Sequence, residues 1–260
     1  MYKSIFRNVK KLIPKVSETE LIALNSGTVS LDREIFKGKV NLPKKVELPK
    51  EKFDLSKVDE LLEKYGDEVI YPNPKSKEMF DYIGSNNFLS FIIDEKYGGY
   101  KMSTKSLSNM LTKITSKNPS LGVSVMVPNS LGPGELLIHY GTEEQREKYL
   151  PGLADGKYVP CFGLTGPYNG SDAAGPIDQG NVVLSNSQPV IDVDINKRYI
   201  TLAPVANLIG LAFKLNDPSS LLGGKEGITV ALIEDDHPGL IKETHHNPLN
   251  AGFPNGTLKG

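Results

Sequence analysis

Cysteine is almost missing from this sequence. Its 260 residues hold one, Cys161, which excludes an internal disulfide and a thiolate metal cluster and fits a reducing compartment. An excess of either charge is missing too. Thirty Lys and Arg stand against 31 Asp and Glu, for a net charge of −1. A general nucleic-acid binder needs a basic surplus to neutralise phosphates, so no nucleic-acid partner is expected. There is no long hydrophobic run either. The longest uncharged stretch, residues 118–134, carries Asn, Pro and Ser, whereas a membrane span takes about 20 mainly apolar residues. The N-terminus lacks the apolar segment and small-residue cleavage site of a secretory signal, so a cytoplasmic protein is expected. What is present is the balance of a folded chain, with 38% apolar and 23% charged residues.

The first sixteen residues carry Lys3, Arg7, Lys10, Lys11 and Lys15 and no acid. Ile5, Phe6, Val9, Leu12 and Ile13 share one helical face, and Pro14 ends it. Such a basic amphipathic helix either lies on an anionic membrane, here the inner membrane, or docks on its own protein. Ser17 to Glu20 reads as a capping box. Residues 25–54, with Gly27, Gly38, Pro43 and Pro49 among lysines, read as an extended strap outside the core.

Helical periodicity starts at Leu55 and recurs to about residue 152. Leu55, Val58, Leu61, Leu62 and Tyr65 form one face, with Gly66 as a candidate C′ residue. Met79, Phe80 and Ile83 form a second face after Ser76. Leu107, Met110, Leu111 and Ile114 form a third after Ser103. A fourth helix is expected across much of residues 120–140. A fifth begins at Thr142, with Gln145 completing a capping box. Between the second and third, residues 87–100 form a hydrophobic run ending in the turn Tyr97-Gly98-Gly99.

After Pro151 the period falls to two. Residues 158–164, 182–184, 190–195, 198–202, 206–213 and 228–233 read as short strands separated by Gly, Pro, Asn and Asp. The fold class expected is α+β: an all-helical domain followed by an antiparallel β-barrel or sandwich-like domain. The expected divisions are 1–54 for basic helix and strap, 55–152 for the helical domain and 153–260 for the β-domain. Residues 247–260 read as loop, and the chain is expected to stop inside this last domain.

The segment most like a binding site is Leu164-Thr165-Gly166-Pro167-Tyr168-Asn169-Gly170-Ser171-Asp172-Ala173-Ala174-Gly175. Glycines among small polar residues after a strand let backbone N–H groups approach a phosphate or a flat ring; an ordinary long connection has the same composition. The segment is neither a Walker loop nor the GxGxxG fingerprint, and no GxSxG elbow occurs. His245-His246 and nearby His237 lack zinc spacing, so no metal is expected. His139 falls on a helix as a surface or packed residue. Cys161, within a strand, packs as a small hydrophobe.

Residues 162–172, reading Phe-Gly-Leu-Thr-Gly-Pro-x-x-Gly-Ser-Asp, resemble the flavin and substrate loop of the acyl-CoA dehydrogenase family. Lys197-Arg198-Tyr199-Ile200-Thr201 resembles that family's second flavin segment, and Glu95-Lys96-Tyr97-Gly98-Gly99 its E-x-Y-G-G turn. Residues 127–137, 139–145, 210–215 and 221–224 resemble its long bacterial fatty-acid-oxidising type. The similarity runs from about Phe6 to Gly260.

The resemblance implies FAD as cofactor, fatty acyl-CoA as substrate, and α,β-dehydrogenation in β-oxidation, in which FAD takes a hydride and a carboxylate takes the α-proton. It implies that Thr165 bonds the flavin pyrimidine edge and that Thr201 bonds near N5. Tyr199 and Phe162 would lie against the ring, Gly163 and Leu164 would give backbone contacts, and Ser171 would contact the CoA portion. Gly166 stands where most of the family has an acid, and Tyr168-Asn169 replaces a usual Glu-Ala pair. The family's second helical domain, which brings the catalytic carboxylate, has no counterpart here, so no catalytic residue is assigned. The expected partners are therefore a chain supplying the C-terminal half and an electron-transfer flavoprotein. The alternative is a non-catalytic remnant that binds acyl-CoA or a protein.

Overall fold

The computed structural model describes residues 53–260 except 131, 174 and 176, together with residues 6, 21, 34–38 and 40. The chain divides into two compact units, Met1–Pro49 and Lys50–Gly260. In the first, residues 34–36 are helical and lead to a turn at Gly38 with φ +69°. The strap expectation is therefore wrong for this short stretch. The basic helix, its capping box and most of the strap lie outside the described residues; Phe6 and Leu21 are helical.

The second unit opens with Phe53, which belongs to the core. Its ring meets Phe88, Phe91 and Tyr100 edge to face at 5.5, 5.2 and 5.4 Å. Six helices follow. Helix α1, Ser56–Tyr65, buries Val58, Leu61, Leu62 and Tyr65, as its spacing predicts. Gly66 is not left-handed, with φ −63°. Its use is space: a Cβ there would lie 2.7 Å from Lys117 Cε, and Lys117 Nζ donates to the Leu62 carbonyl at 3.3 Å. Helix α2, Ser76–Ser85, buries Met79, Phe80 and Ile83. A short 3-10 turn at Glu95–Tyr97 precedes α3, Thr104–Lys117, which Ser103 caps.

The single helix expected across residues 120–140 is two, α4 at Pro119–Ser130 and α5 at Pro133–Tyr140. Gly132, at φ −163° and ψ −147°, breaks the run, and Pro133 suits the first position of a new helix. Asn129 steadies the break from inside. Its Nδ2 donates to the Leu89 carbonyl at 2.6 Å and the Leu153 carbonyl at 3.2 Å. Helix α6, Glu143–Ala154, carries the expected capping box: Gln145 N–H to Thr142 Oγ1 at 3.2 Å and Thr142 N–H to Gln145 Oε1 at 2.9 Å.

The strands are β1 Pro160–Gly163, β2 Gln179–Ser185, β3 Gln188–Val193, β4 Asn196–Thr201, β5 Leu208–Asn216, β6 Gly227–Glu234, β7 Ile241–His245 and β8 Asn255–Lys259. They form two sheets, and the architecture is α+β. The sheets are not wholly antiparallel and do not close into a barrel. β5 pairs antiparallel with β6 along its length, and parallel with β1 near Leu208 and with β2 near Lys214. Parallel pairs need the long connections that separate β1 and β2 from β5. The smaller sheet is antiparallel, in the order β4-β8-β7.

The loop expected over residues 247–260 is overturned at its end. Asn255-Gly256-Thr257 has turn composition, yet β8 pairs with β4 and β7, and Leu258 is wholly buried. Ile195 and Gly260 exchange two backbone hydrogen bonds at 2.7 and 3.2 Å. The main core draws on both element types, from Leu61, Met79 and Ile114 to Ile209, Phe213 and Leu258.

Candidate functional site

A cleft of about 450 Å³ opens between the α4–α5 corner and the strands β1 and β4. Its helical wall is Val127, Ser130, Gly132, Glu135 and Leu136. Its strand wall is Phe162 from β1 and Leu164 and Thr165 just beyond it, with Tyr199, Ile200 and Thr201 from β4. Close approach of the two walls depends on Gly210 in β5, where a Cβ would lie 3.1 Å from Pro133 Cγ and 3.3 Å from Phe162 Cδ2.

Thr165 is fixed to β4 by two bonds. Its Oγ1 donates to the Arg198 carbonyl at 2.9 Å, and the Arg198 N–H donates to its own carbonyl at 3.0 Å. Asn169 shapes the turn that follows: its Oδ1 accepts from the Gly166 N–H at 2.7 Å and its Nδ2 donates to the Leu164 carbonyl at 3.3 Å. Thr201 makes no side-chain hydrogen bond among the described residues, so its hydroxyl is free for a ligand. Tyr199 sits at the irregularity where β4 slips against β8, with φ +59°. Few non-glycine residues occupy that region. The bulge turns its ring to the cleft, between the Arg198 guanidinium and the His246 ring, each 4.6 Å away.

The structure thus gathers Phe162, Leu164, Thr165, Tyr199 and Thr201 from two distant segments. It does not bring in the other expected residues. Gly163 faces the core, where a Cβ would lie 3.1 Å from Leu258 Cδ1. Ser171 is exposed in the turn beyond Asn169 and does not line the cleft. The helical wall received no role from the sequence, although the Gly132-Pro133-Gly134 break marks where the chain turns toward the strands. Asn169 was also passed over, because only its folded contacts show what it organises.

The other chemically able groups lie elsewhere. Cys161 is buried, and burial pushes its thiol up to about 12, which leaves no thiolate for nucleophilic use. His245 packs its ring on Tyr71 at 4.6 Å. Among the described residues no cluster of His, Cys, Asp and Glu could hold a metal, and no helix is long and apolar enough to cross a membrane. Glu135, on the cleft wall, pairs with His139 at 3.0 Å.

A mainly apolar cleft with hydroxyls at its rim fits a flat ring system whose edge takes hydrogen bonds. Thr165 Oγ1 has spent its proton on Arg198 and can still accept a bond, while Thr201 can donate one. The donor set therefore suits a flavin.

Comparison with known proteins agrees with this chemistry. Residues 55–157 match the family model for the N-terminal domain of acyl-CoA dehydrogenases. An acyl-CoA dehydrogenase from Bacillus subtilis is 28% identical over 162 residues, covering 62% of this chain and 40% of that protein. The short-chain-specific enzyme from Megasphaera elsdenii is 30% identical over 165 residues, covering 63% and 41%. The chain thus spans about two fifths of the length of these relatives. Butyryl-CoA dehydrogenase from Megasphaera elsdenii shares the fold at a TM-score of 0.63 and 21% identity, over 82% of this chain and 57% of that one. The Bacillus anthracis acyl-CoA dehydrogenase complexed with FAD does so at 0.66 and 20%, over 79% and 34%. FAD is the cofactor of the family. Residues 55–157 thus carry an acyl-CoA dehydrogenase N-terminal domain, and the chain as a whole is similar in sequence and fold to acyl-CoA dehydrogenases.

Proposed function

We propose that this chain supplies the flavin-facing wall of an FAD-dependent acyl-CoA dehydrogenase acting on fatty acyl-CoA. The observation that carries the reading is the cleft, where Phe162, Leu164 and Thr165 meet Tyr199 and Thr201 although more than thirty residues separate the two segments. When bound there, FAD supplies the acceptor for the substrate β-hydrogen. The chain's own residues bind and orient. Thr165 and Thr201 present hydroxyls to the polar edge of the ring, Phe162 and Tyr199 pack beside it, and Val127 and Leu136 of the helical wall keep water from it. Ser171, exposed outside the cleft, is read as the contact for the CoA portion. No described residue of the cleft is assigned as the α-proton acceptor, and the electrons pass to an electron-transfer flavoprotein. The basic, acid-free sequence of residues 1–16 suits contact with an anionic membrane surface or with another part of the protein.

The test is visible absorption of the purified chain after mixing with excess FAD and gel filtration. A retained flavin band that shrinks in Thr165→Val and Thr201→Val supports the reading. Loss of all flavin from the folded chain, also after adding a C-terminal half from a relative, overturns it.

A further inference from the structure

Lys197 has no solvent exposure, although it sits one residue from the cleft's exposed rim. Its Nζ donates to Asp178 Oδ2 at 3.0 Å and to the Leu164 carbonyl at 3.2 Å. Leu164 is the first residue after β1 and Asp178 the last before β2, so one ammonium joins both ends of the intervening connection. Each end is held again by a neighbour. The Leu164 carbonyl also accepts from Asn169 Nδ2, and Asp178 Oδ2 also accepts from the Asn196 N–H at 3.1 Å. The Asp178 carbonyl accepts from the Lys214 N–H at 2.8 Å, which ties the same residue to β5.

Stability does not call for a lysine here. Its neighbours on the buried face, Ile195, Ile200 and Leu258, are apolar, and a buried ion pair replaced by well-packed apolar groups is often as stable or more so. What an apolar side chain cannot do is fix a carbonyl and a carboxylate at one point. The fold also makes room for the lysine: a Cβ on Gly163 would lie 3.6 Å from Lys197 Cγ. That accounts for a glycine whose own face is turned from the cleft.

We propose that Lys197 is a positioning residue for the cleft, acting through Leu164 and Asp178 to hold the 164–178 connection, and with it Thr165, against the ligand. Long connections without regular structure are mobile unless tied down, and this one carries a cleft hydroxyl next to its first anchor. The proposal rests on the flavin reading for its use, but the clamp itself is testable without FAD.

The experiment compares the full chain with Lys197→Met and with Lys197→Met/Asp178→Leu, reading melting temperature, amide hydrogen exchange of residues 164–178, and FAD affinity by fluorescence quenching. The single variant should lose stability because Asp178 stays buried without its partner. The double variant should recover the melting temperature, while exchange within 164–178 stays at least about tenfold faster and FAD affinity at least about tenfold weaker. A merely structural role would restore all three together, and that result overturns the proposal. If the wild-type chain takes no FAD, also after adding a C-terminal half from a relative, faster exchange confined to 164–178 still supports the clamp while the flavin reading fails; unchanged exchange removes the clamp. Should the double variant not fold, Asp178→Asn, which keeps an acceptor without the charge, should speed exchange in the same segment by a smaller factor, and no change there counts against the clamp.

Discussion

Thr165 and Arg198 hold each other by two hydrogen bonds, one from a side chain and one from the backbone, and so join the end of β1 to β4 at the mouth of the cleft. Thr201, on the same wall, spends no side-chain hydrogen bond within the described chain. The two threonines should therefore respond differently. Thr165→Val should destabilise the ligand-free chain by about 0.5–1.5 kcal/mol, whereas Thr201→Val should stay within about 0.5 kcal/mol. Both should weaken FAD retention. Urea titration with and without FAD separates the two effects.

Gly210→Val should press on Pro133 and Phe162 together, because a Cβ at this position is already 3.1 and 3.3 Å from them. Overpacking of this kind costs about 1–3 kcal/mol. Phe162 should move into the cleft, so FAD affinity should fall further than in a variant of equal stability made elsewhere in the core. Denaturation midpoint and flavin fluorescence quenching measure the two quantities.

Asn129→Ala should be among the most damaging single changes. The residue is buried and donates to two carbonyls from different parts of the helical region, Leu89 and Leu153. Leaving both without a donor should cost about 2–4 kcal/mol, read as a lowered urea midpoint with an unchanged slope.

Acid should weaken the contact between the Glu95–Tyr97 turn and α6. Hydrogen bonds from Lys96 and then Tyr97 hold the Glu143 carboxyl down to about 2. A depressed folded value means that the contribution is fully present above the unfolded carboxylate value near ~4.3 and is lost as pH falls through about 2. Melting temperature followed across that window should drop in the wild-type chain and drop less in Glu143→Gln. The pair is exposed, so added salt should shrink the difference.

How much of this was legible in the sequence depended on whether the signal was local. The Thr142–Gln145 capping box and the Ser103 cap were readable because partners three residues apart decide them. The pairing of Phe162–Thr165 with Tyr199–Thr201 in one site came from a family resemblance, since neither segment is distinctive by itself. The α4–α5 break was missed because the apolar run continues through it, although Gly132 and Pro133 mark it. β8 was missed because Asn255-Gly256 has turn composition; its partners β4 and β7 impose the conformation. In the sequence Lys197 falls just ahead of the strand at 198–202 with no role of its own, and its partner Asp178 reaches it only in the folded chain.

The three-partner strand β5 also sets a timetable. β6 follows it closely and can pair by a local hairpin, but β1 and β2 meet β5 only through parallel pairing across long stretches of sequence. Long-range pairing must first meet the entropy of closing the loop, which slows folding. During synthesis β1 and β2 leave the ribosome before the strand that organises them has been made, and translation at about 5–20 residues per second keeps them waiting for seconds. Pro160 to Gly163 is then an apolar segment with no ladder to join. The interval between its emergence and the arrival of Leu208 is when the nascent chain is most in need of a chaperone.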